Sequence, residues 1–394
     1  MPDVPVIIVG GGAAGLTTAG ALKQVGVEAV VLDKDRQIGG TWARRYDRLH
    51  LHTIRPLSGL AHLPIPRHLP MYLARDQLVA YLQDYARRFD LKIVAGCAVH
   101  KVRMEQDGAF PTWTVESDCG TWRCRAVVIA AGHYNIPVVP EWPGRDIYSG
   151  TLIHSVGYRN GRGYAGKRVL VIGAGNSGTE IAAELVEQGA AFVAISIRTP
   201  PPIVPRDPFG MPVQRSGILL SRFPPRISDR IGRIVARLSL GDLTRYGLKP
   251  PAWLPYSARH VPVIDVGFVE QLKRGCIHIR PNVARFTTTG VVYADERAEE
   301  FGDVIAATGF KTGLDELLDV PDVLDERSFP AFPSGHPTTH PGFYFMGYTE
   351  HLRGHLYEAN RDSRRLAGII DHYLRQFDSA ADRADRQGIA RRSQ

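Results

Sequence analysis

The apolar positions along the chain fall into short β-branched runs that end in glycine, and one arrangement of them is written twice. Val6-Ile7-Ile8-Val9 shows no polar alternation, as expected of a parallel strand buried on both faces. It runs into Gly10-Gly11-Gly12-Ala13-Ala14-Gly15 and a helical stretch ending near Val25, and after Gly26 a second run, Ala29-Val30-Val31-Leu32, stops at Asp33 and Lys34. Further on, Val169-Leu170-Val171-Ile172 leads into Gly173-Ala174-Gly175-Asn176-Ser177-Gly178, a helix to about Gln188, and a strand from Phe192 to Ile197 that stops at Arg198. A strand from Ala126 to Ala131 closing in Gly132, and its echo Val304 to Gly309, complete the two copies.

Between and after them the period changes. Leu78, Tyr81, Leu82, Tyr85 and Phe89 recur at helical spacing behind Asp76, which the pattern predicts as the cap, and Leu356, Ala359, Leu366, Ile369, Ile370, Tyr373 and Phe377 predict a long final helix. Lys92 to Val102, Thr112 to Glu116 and Thr121 to Arg125 read as a small meander covering one face of the first fold. Ile136 to Gly144 is a proline-rich exit. The stretch from Pro200 to Pro262 is rich in Pro and Arg. Its amphipathic segment, with Ile227, Ile231, Ile234, Val235 and Leu238 on one side and Arg226, Arg230, Arg233 and Arg237 on the other, has the pattern of a helix that can lie on a membrane, but is expected instead to pack its apolar stripe on its own domain. The prediction is an α/β protein of two Rossmann-like dinucleotide-binding domains, the second inserted into the first, divided as 1–147, 148–311 and 312–394.

The chemistry follows from the spacing. In G-x-G-x-x-G the first glycine makes the tight turn, the second leaves no Cβ between main chain and pyrophosphate, and the third lets helix and strand approach, so phosphates meet free N–H groups at a helix N-terminus. A carboxylate at the end of the second strand suits a ribose hydroxyl, whereas an arginine there suits a 2′-phosphate. Asp33 and Arg198 therefore assign FAD to the first turn and NADPH to the second. The candidate cofactor positions are Gly10, Gly12, Ala13, Ala14, Gly15, Asp33, Lys34, Gly40, Thr41, Trp42, His52, Val99, Ala131 and Gly132 in the first stretch. Gly173, Gly175, Asn176, Ser177, Gly178 and Arg198 follow in the second, with Thr308, Gly309 and Gly347 near the end.

Composition narrows the class. The chain has 394 residues and a formal charge of +8, but its basic residues are scattered with no aromatic-and-basic stripe, so no nucleic-acid partner is expected. No apolar run reaches the ~18 residues of a membrane span and no signal-peptide layout opens the chain, which points to the cytoplasm. The cysteines Cys97, Cys119, Cys124 and Cys276 form no C-x-x-C and no set with histidines, so neither a metal site nor a disulfide framework is predicted. Cys119 and Cys124 lie in the meander, far from the Gly39-Gly40-Thr41 turn where a flavin-linked redox pair belongs.

The stretch Tyr148-x-Gly150-x-x-x-His154-x-x-x-Tyr158 resembles the F-x-G-x-x-x-H-x-x-x-(Y/F) signature of flavin-containing monooxygenases, with Tyr148 in place of Phe. The blocks Asp47-Arg48-Leu49-x-Leu51-His52, Gly175-Asn176-Ser177-Gly178-Thr179-Glu180, Pro205-Arg206 and Ala307-Thr308-Gly309-Phe310 are similar to those of the YUCCA-like branch, in its order. The resemblance implies hydride transfer from NADPH to flavin, capture of oxygen as a flavin peroxide, and oxidative decarboxylation of a small-molecule α-keto acid such as indole-3-pyruvate. It also implies that an asparagine of heteroatom-oxidising relatives is replaced near His52 and Thr53, the catalytic candidates. A keto acid's carboxylate calls for an arginine, and Arg55 and Arg206 are the substrate candidates. Two alternatives share the cofactor motifs: N- or S-oxygenation of an amine or sulfide, and a non-oxygenating NADPH oxidase or redox sensor.

Overall fold

The computed structural model describes residues 3–105, 110–350 and 352–392. The first sheet has eight strands, and its parallel centre runs Lys92–Ala95, Ala29–Asp33, Asp3–Val9, Gly120–Ile129. Val6 and Ile8 enter a core with helix Ala13–Gln24 and the final helix, while Ile7 and Val9 enter another with Trp113, Val115 and Phe343. The first strand is thus buried on both sides, as its unbroken apolar run requires.

The meander continues this sheet by hydrogen bonding, and its Val102, Trp113 and Val115 share a core with Ile7, Val9 and Leu32 of the parallel centre, but its strands are divided differently from the prediction. Lys92–Ala95 pairs in parallel with Ala29–Asp33 and belongs to the centre; a turn at Gly96 (φ +71°), where the Cys97 N–H donates to the Asp33 carbonyl at 2.8 Å, separates it from Val99–Glu105. The predicted strands Thr121 to Arg125 and Ala126 to Ala131 are one continuous strand, Gly120–Ile129, whose first half pairs antiparallel with Thr112–Ser117 and whose second half pairs with Asp3–Val9 and Phe343–Phe345.

The second sheet has five parallel strands in the order Ile277–Arg280, Phe192–Ser196, Arg168–Ile172, Asp303–Ala306, Thr151–His154. The signature between the two folds is therefore this sheet's edge strand. His154 Nε2 donates to the Gly309 carbonyl at 3.0 Å, and the Tyr158 hydroxyl donates to Glu184 Oε2 at 2.9 Å. The segments entering and leaving this half lie side by side, Ile136–Pro137 pairing antiparallel with Phe310–Lys311.

Two further expectations are corrected. Asp76 does not cap the helix Arg75–Arg88: it sits inside the first turn, exposed and ion-paired with Arg75, and the Ala74 N–H is taken instead by Gln77 Oε1 at 3.0 Å. The helix Pro225–Leu240 turns its apolar stripe outward, with Ile234 53% and Leu238 71% exposed, and buries Ser228, Asp229 and Leu240. The final helix, His355–Arg392, lies on Ala13–Gln24 through Leu366, Ile370 and Tyr373, and Thr17 and Ser363 hydroxyls meet at 3.2 Å.

Candidate active site and cofactor cradles

The two glycine turns repeat each other atom for atom in their constraints. Gly10 (φ +109°) and Gly173 (φ +105°) lie where a Cβ would stand 2.5 Å and 2.4 Å from the carbonyl oxygens of Ala130 and Ala307. A Cβ on Gly15 would stand 1.9 Å from the Gly10 oxygen, and one on Gly178 2.0 Å from the Gly173 oxygen, so helix and strand touch with no room for a side chain. Gly12 and Gly175 differ: a Cβ there meets no atom within 4 Å, because both face open space at a helix N-terminus. Neither helix has a side-chain cap or an acid in its first turn. Uncapped N–H groups of Ala13, Ala14, Asn176 and Ser177 beside a glycine that leaves room for an anion are what a pyrophosphate requires, so both turns fit the groups their sequence implies.

Around the first turn the chain gathers most of the predicted positions. The Asp33 carboxylate accepts the N–H of Gly11 at 2.8 Å and of Asp35 at 2.9 Å; burial pushes its pKa above the usual carboxylate value despite these bonds. Val99 begins the strand that follows the Asp33-bonded turn, Ala131 packs on Gly10, and Gly347 packs on Ala14. Gly40, Thr41 and Trp42 form a short helix whose turn approaches Asp35, with Trp42 half-buried. Lys34 is committed elsewhere: it donates to Asn135 Oδ1. Gly132 leads into His133, whose Nε2 is buried without a partner among the described residues, as is the Tyr348 hydroxyl packed against Ala131 and Gly132. Burial and the neighbouring His355 lower the His133 pKa to about 4.

Around the second turn, Arg198 is exposed and has no hydrogen-bond or ion-pair partner among the described residues. The Asn176 side chain braces the fold, its Oδ1 accepting the Ile264 N–H at 2.8 Å, so only its backbone faces the turn's mouth. Thr308 donates to the Val138 carbonyl and the Gly309 carbonyl accepts the Val138 N–H at 3.0 Å, which places both at the paired linkers.

The halves meet through loops. His52 Nε2 lies 2.6 Å from Glu180 Oε1, whose side chain is 3% exposed on the helix after the second turn; Tyr46, beside Glu180 and Ser177, has its hydroxyl pKa driven far up by burial and by that carboxylate. The Thr53 and Ser58 hydroxyls meet at 2.8 Å. Gln214, from the insert, accepts the Ile54 N–H at 2.8 Å and donates to the Arg353 carbonyl at 2.7 Å, clasping two segments of the first half. One residue earlier the Val213 N–H donates to the Arg206 carbonyl at 2.8 Å, so Arg206 stands at the edge of this clasp. The Arg206 guanidinium lies 4.3 Å over the Tyr72 ring, with Nε donating to Asp207 Oδ2 at 3.0 Å. Arg55 is turned to structure, its Nη1 donating to the carbonyls of Arg67 and Leu69. Gln214 and His133 carry no motif in the sequence that marks them, and Glu180 is marked only as the last residue of the block 175–180.

Residues 7–202 match the family model described as pyridine nucleotide-disulphide oxidoreductase, although all four cysteines of this chain are free. The fold is that of a flavin-containing monooxygenase from Stenotrophomonas maltophilia, with TM-score 0.71, 24% identity, and 95% of this chain covered against 100% of that one. It is also that of an oxidized steroid monooxygenase bound to NADP, with TM-score 0.75, 20% identity, and coverage of 95% and 86%. Two glycine cradles in this architecture define a flavoprotein fold with two dinucleotide-binding domains. Over 94% of its length the chain is 34% identical to the indole-3-pyruvate monooxygenase YUCCA6 of Arabidopsis thaliana, of which it covers 91%. The chain belongs to the YUCCA family of flavin monooxygenases.

Proposed function

We propose that the chain catalyses oxidative decarboxylation of a 2-keto acid of the indole-3-pyruvate class. Keto acid, O2, NADPH and a proton give the acid one carbon shorter, CO2, water and NADP+. The observation that carries this reading is Arg206: its guanidinium is held over Tyr72 and through Nε by Asp207, and its two terminal nitrogens have no partner among the described residues. A carboxylate completes such a fork, whereas an ammonium is repelled by it, which favours a keto acid over an amine.

Gly12, Ala13 and Ala14 would hold the FAD pyrophosphate and Asp33 its ribose; Gly175, Asn176 and Ser177 would hold NADPH by backbone N–H groups, with Arg198 on the 2′-phosphate. FAD supplies hydride acceptance and oxygen activation. Glu180 fixes the His52 imidazole through Nε2, and so ties the loop of the first half to the helix that receives NADPH. Gln214 holds Ile54 and Arg353 together and thereby positions Thr53 and the start of the final helix. We divide the chain at 147/148 and 311/312, between which lie all five strands of the second sheet, and place the enzyme in the cytoplasm, in keeping with its free cysteines.

Product analysis tests the proposal. FAD-loaded enzyme given NADPH, O2 and indole-3-pyruvate is expected to release CO2 and indole-3-acetate, one for each NADPH consumed. Oxygen transfer to amines or sulfides without CO2 from any keto acid, or recovery of all oxygen as hydrogen peroxide, would overturn it. Arg206→Met is expected to raise KM for the keto acid at least about tenfold, the lower end for a lost charge-assisted hydrogen bond, and to leave KM for NADPH unchanged.

A further inference from the structure

The outward face of the helix Pro225–Leu240 has no partner among the described residues, and its chemistry is two-sided. Ile227, Ile231, Ile234 and Leu238 follow one another at spacings of four, three and four, so they form one row; all four are exposed, from 38% at Ile231 to 71% at Leu238. Arg226, Arg230, Arg233 and Arg237 repeat the same spacing one position earlier and form a second exposed row beside it. The helix has one carboxylate, Asp229, and it points inward: 2% exposed, it accepts the N–H groups of Tyr256 and Ser257, each at 2.9 Å. The solvent face therefore carries four positive charges, four large aliphatic side chains and no acid. The end of the preceding helix, Val213–Leu220, and the turn after it add exposed Leu219 and Phe223.

At the far end of both rows a shallow open pocket of about 410 Å³ is lined by Ile234, Arg237, Leu238, Gly241, Asp242 and Arg245. The Asp242 carboxylate there is turned to its own loop, accepting the Thr244 N–H at 3.1 Å and hydroxyl at 2.6 Å. Aliphatic side chains and two guanidinium groups meet in one concave patch, the pairing presented by a phospholipid at the boundary of headgroup and acyl chain.

We propose that this helix docks the enzyme peripherally on an anionic phospholipid surface. The aliphatic row enters the acyl boundary, the arginine row lies among the phosphates with its stems along the surface, and the end pocket receives a headgroup. The helix is about 24 Å long at 1.5 Å per residue, and no helix among the described residues is long and apolar enough to cross a membrane, so the contact is interfacial. A second copy of this chain is the poorer occupant, since pairing the face with itself brings arginine row against arginine row. The helix shares a domain and its preceding segment with Arg206 and Gln214, so docking would hold the substrate mouth beside the lipid and give it first access to an aromatic acid that partitions there.

Flotation of the FAD-loaded, full-length enzyme with vesicles tests the inference. Phosphatidylglycerol–phosphatidylcholine vesicles are expected to carry the protein at low salt and to release it as salt rises, and pure phosphatidylcholine vesicles to carry far less. Arg230→Gln with Arg233→Gln is expected to weaken binding about 25-fold, near fivefold for each charge removed. Ile234→Glu with Leu238→Glu should abolish binding at every salt concentration while FAD content and NADPH oxidation stay at wild-type levels, which shows that the variant is folded. No flotation with anionic vesicles at low salt, or variants that float as wild type, would overturn the proposal. So would a dimer in sedimentation velocity that Ile234→Glu dissociates, because the face would then belong to a second copy.

Discussion

A Cβ on Gly15 would stand 1.9 Å from the Gly10 oxygen, and one on Gly178 2.0 Å from the Gly173 oxygen, while Gly12 and Gly175 both open into empty space. Backbone sterics have produced the same cradle twice. What surrounds the cradles differs. Asp33 has both carboxylate oxygens fixed by backbone N–H groups and is largely buried, so the first half is organised before any ligand arrives. Arg198 is exposed and unpartnered among the described residues, so a ligand must order it. Ordering on binding subtracts from affinity and pre-organisation restores it. On the proposed assignments, the contrast predicts that FAD is retained more tightly than NADPH.

The sharpest way to break this comparison is a methyl group at the third glycine. Gly15→Ala forces backbone apart at a cost of about 3 kcal/mol or more, and the variant is expected to yield no FAD-loaded protein by its flavin absorbance. Gly178→Ala should keep FAD and lose NADPH oxidation. Loss of FAD there too would mean that the two halves do not form independently.

Acid titration is the next largest effect and belongs to the first half. The His133 pKa, lowered to about 4 by burial and by His355, lies below the ordinary value of 6.5. Between those values the unfolded chain takes up a proton that the folded chain does not. Stability therefore falls as pH drops from 6.5 to 4, by about 3 kcal/mol in all, and is fully present above 6.5. His133→Phe should flatten the fall in Tm over that window; an unchanged slope would place the titrating group elsewhere.

Arg198→Ala should raise KM for NADPH by about tenfold to a hundredfold, as for loss of a hydrogen bond between charged groups, while KM for NADH and the FAD content hold. An equal effect on both nucleotides would remove Arg198 from the 2′-phosphate. The smallest effect is expected at the base beside the first acid. Lys34→Ala removes an exposed contact to Asn135, so FAD content should be unaltered and stability should move by about 0.5 kcal/mol or less, read from Tm.

The parts of this molecule set by short-range sterics were legible in the chain. Both glycine turns, the strands before them and the charges after them follow from local geometry, and the structure places each where the spacing requires. The parts set by distant neighbours were not. Gln214 is an ordinary residue until folding lays Ile54 and Arg353 on either side of it, and Glu180 acquires its meaning from His52, which lies far away in sequence. Asn176 has the identity of a nucleotide contact, but its side chain is committed to Ile264. The arginine-rich helix shows the same limit: periodicity reveals that an apolar stripe exists, not what it faces, and here the stripe turned outward. The helix at Arg75 begins with Gln77 reaching back to the Ala74 N–H, while Asp76, one residue past the helix start, pairs with Arg75 instead.

The pairing of Ile136–Pro137 with Phe310–Lys311 has a genetic consequence. The point where the chain leaves the first sheet and the point where it returns are neighbours across a two-stranded ladder, about 5 Å apart. A host gene opened at such a spot accepts a long insert with almost no added loop-closure cost, because the ends of the insert already meet. The nicotinamide half is thus a cassette seated on a two-pin socket. Exchanging it for the corresponding half of a relative, joined at these two strands, is the route by which coenzyme preference can be changed while the flavin's bed stays untouched.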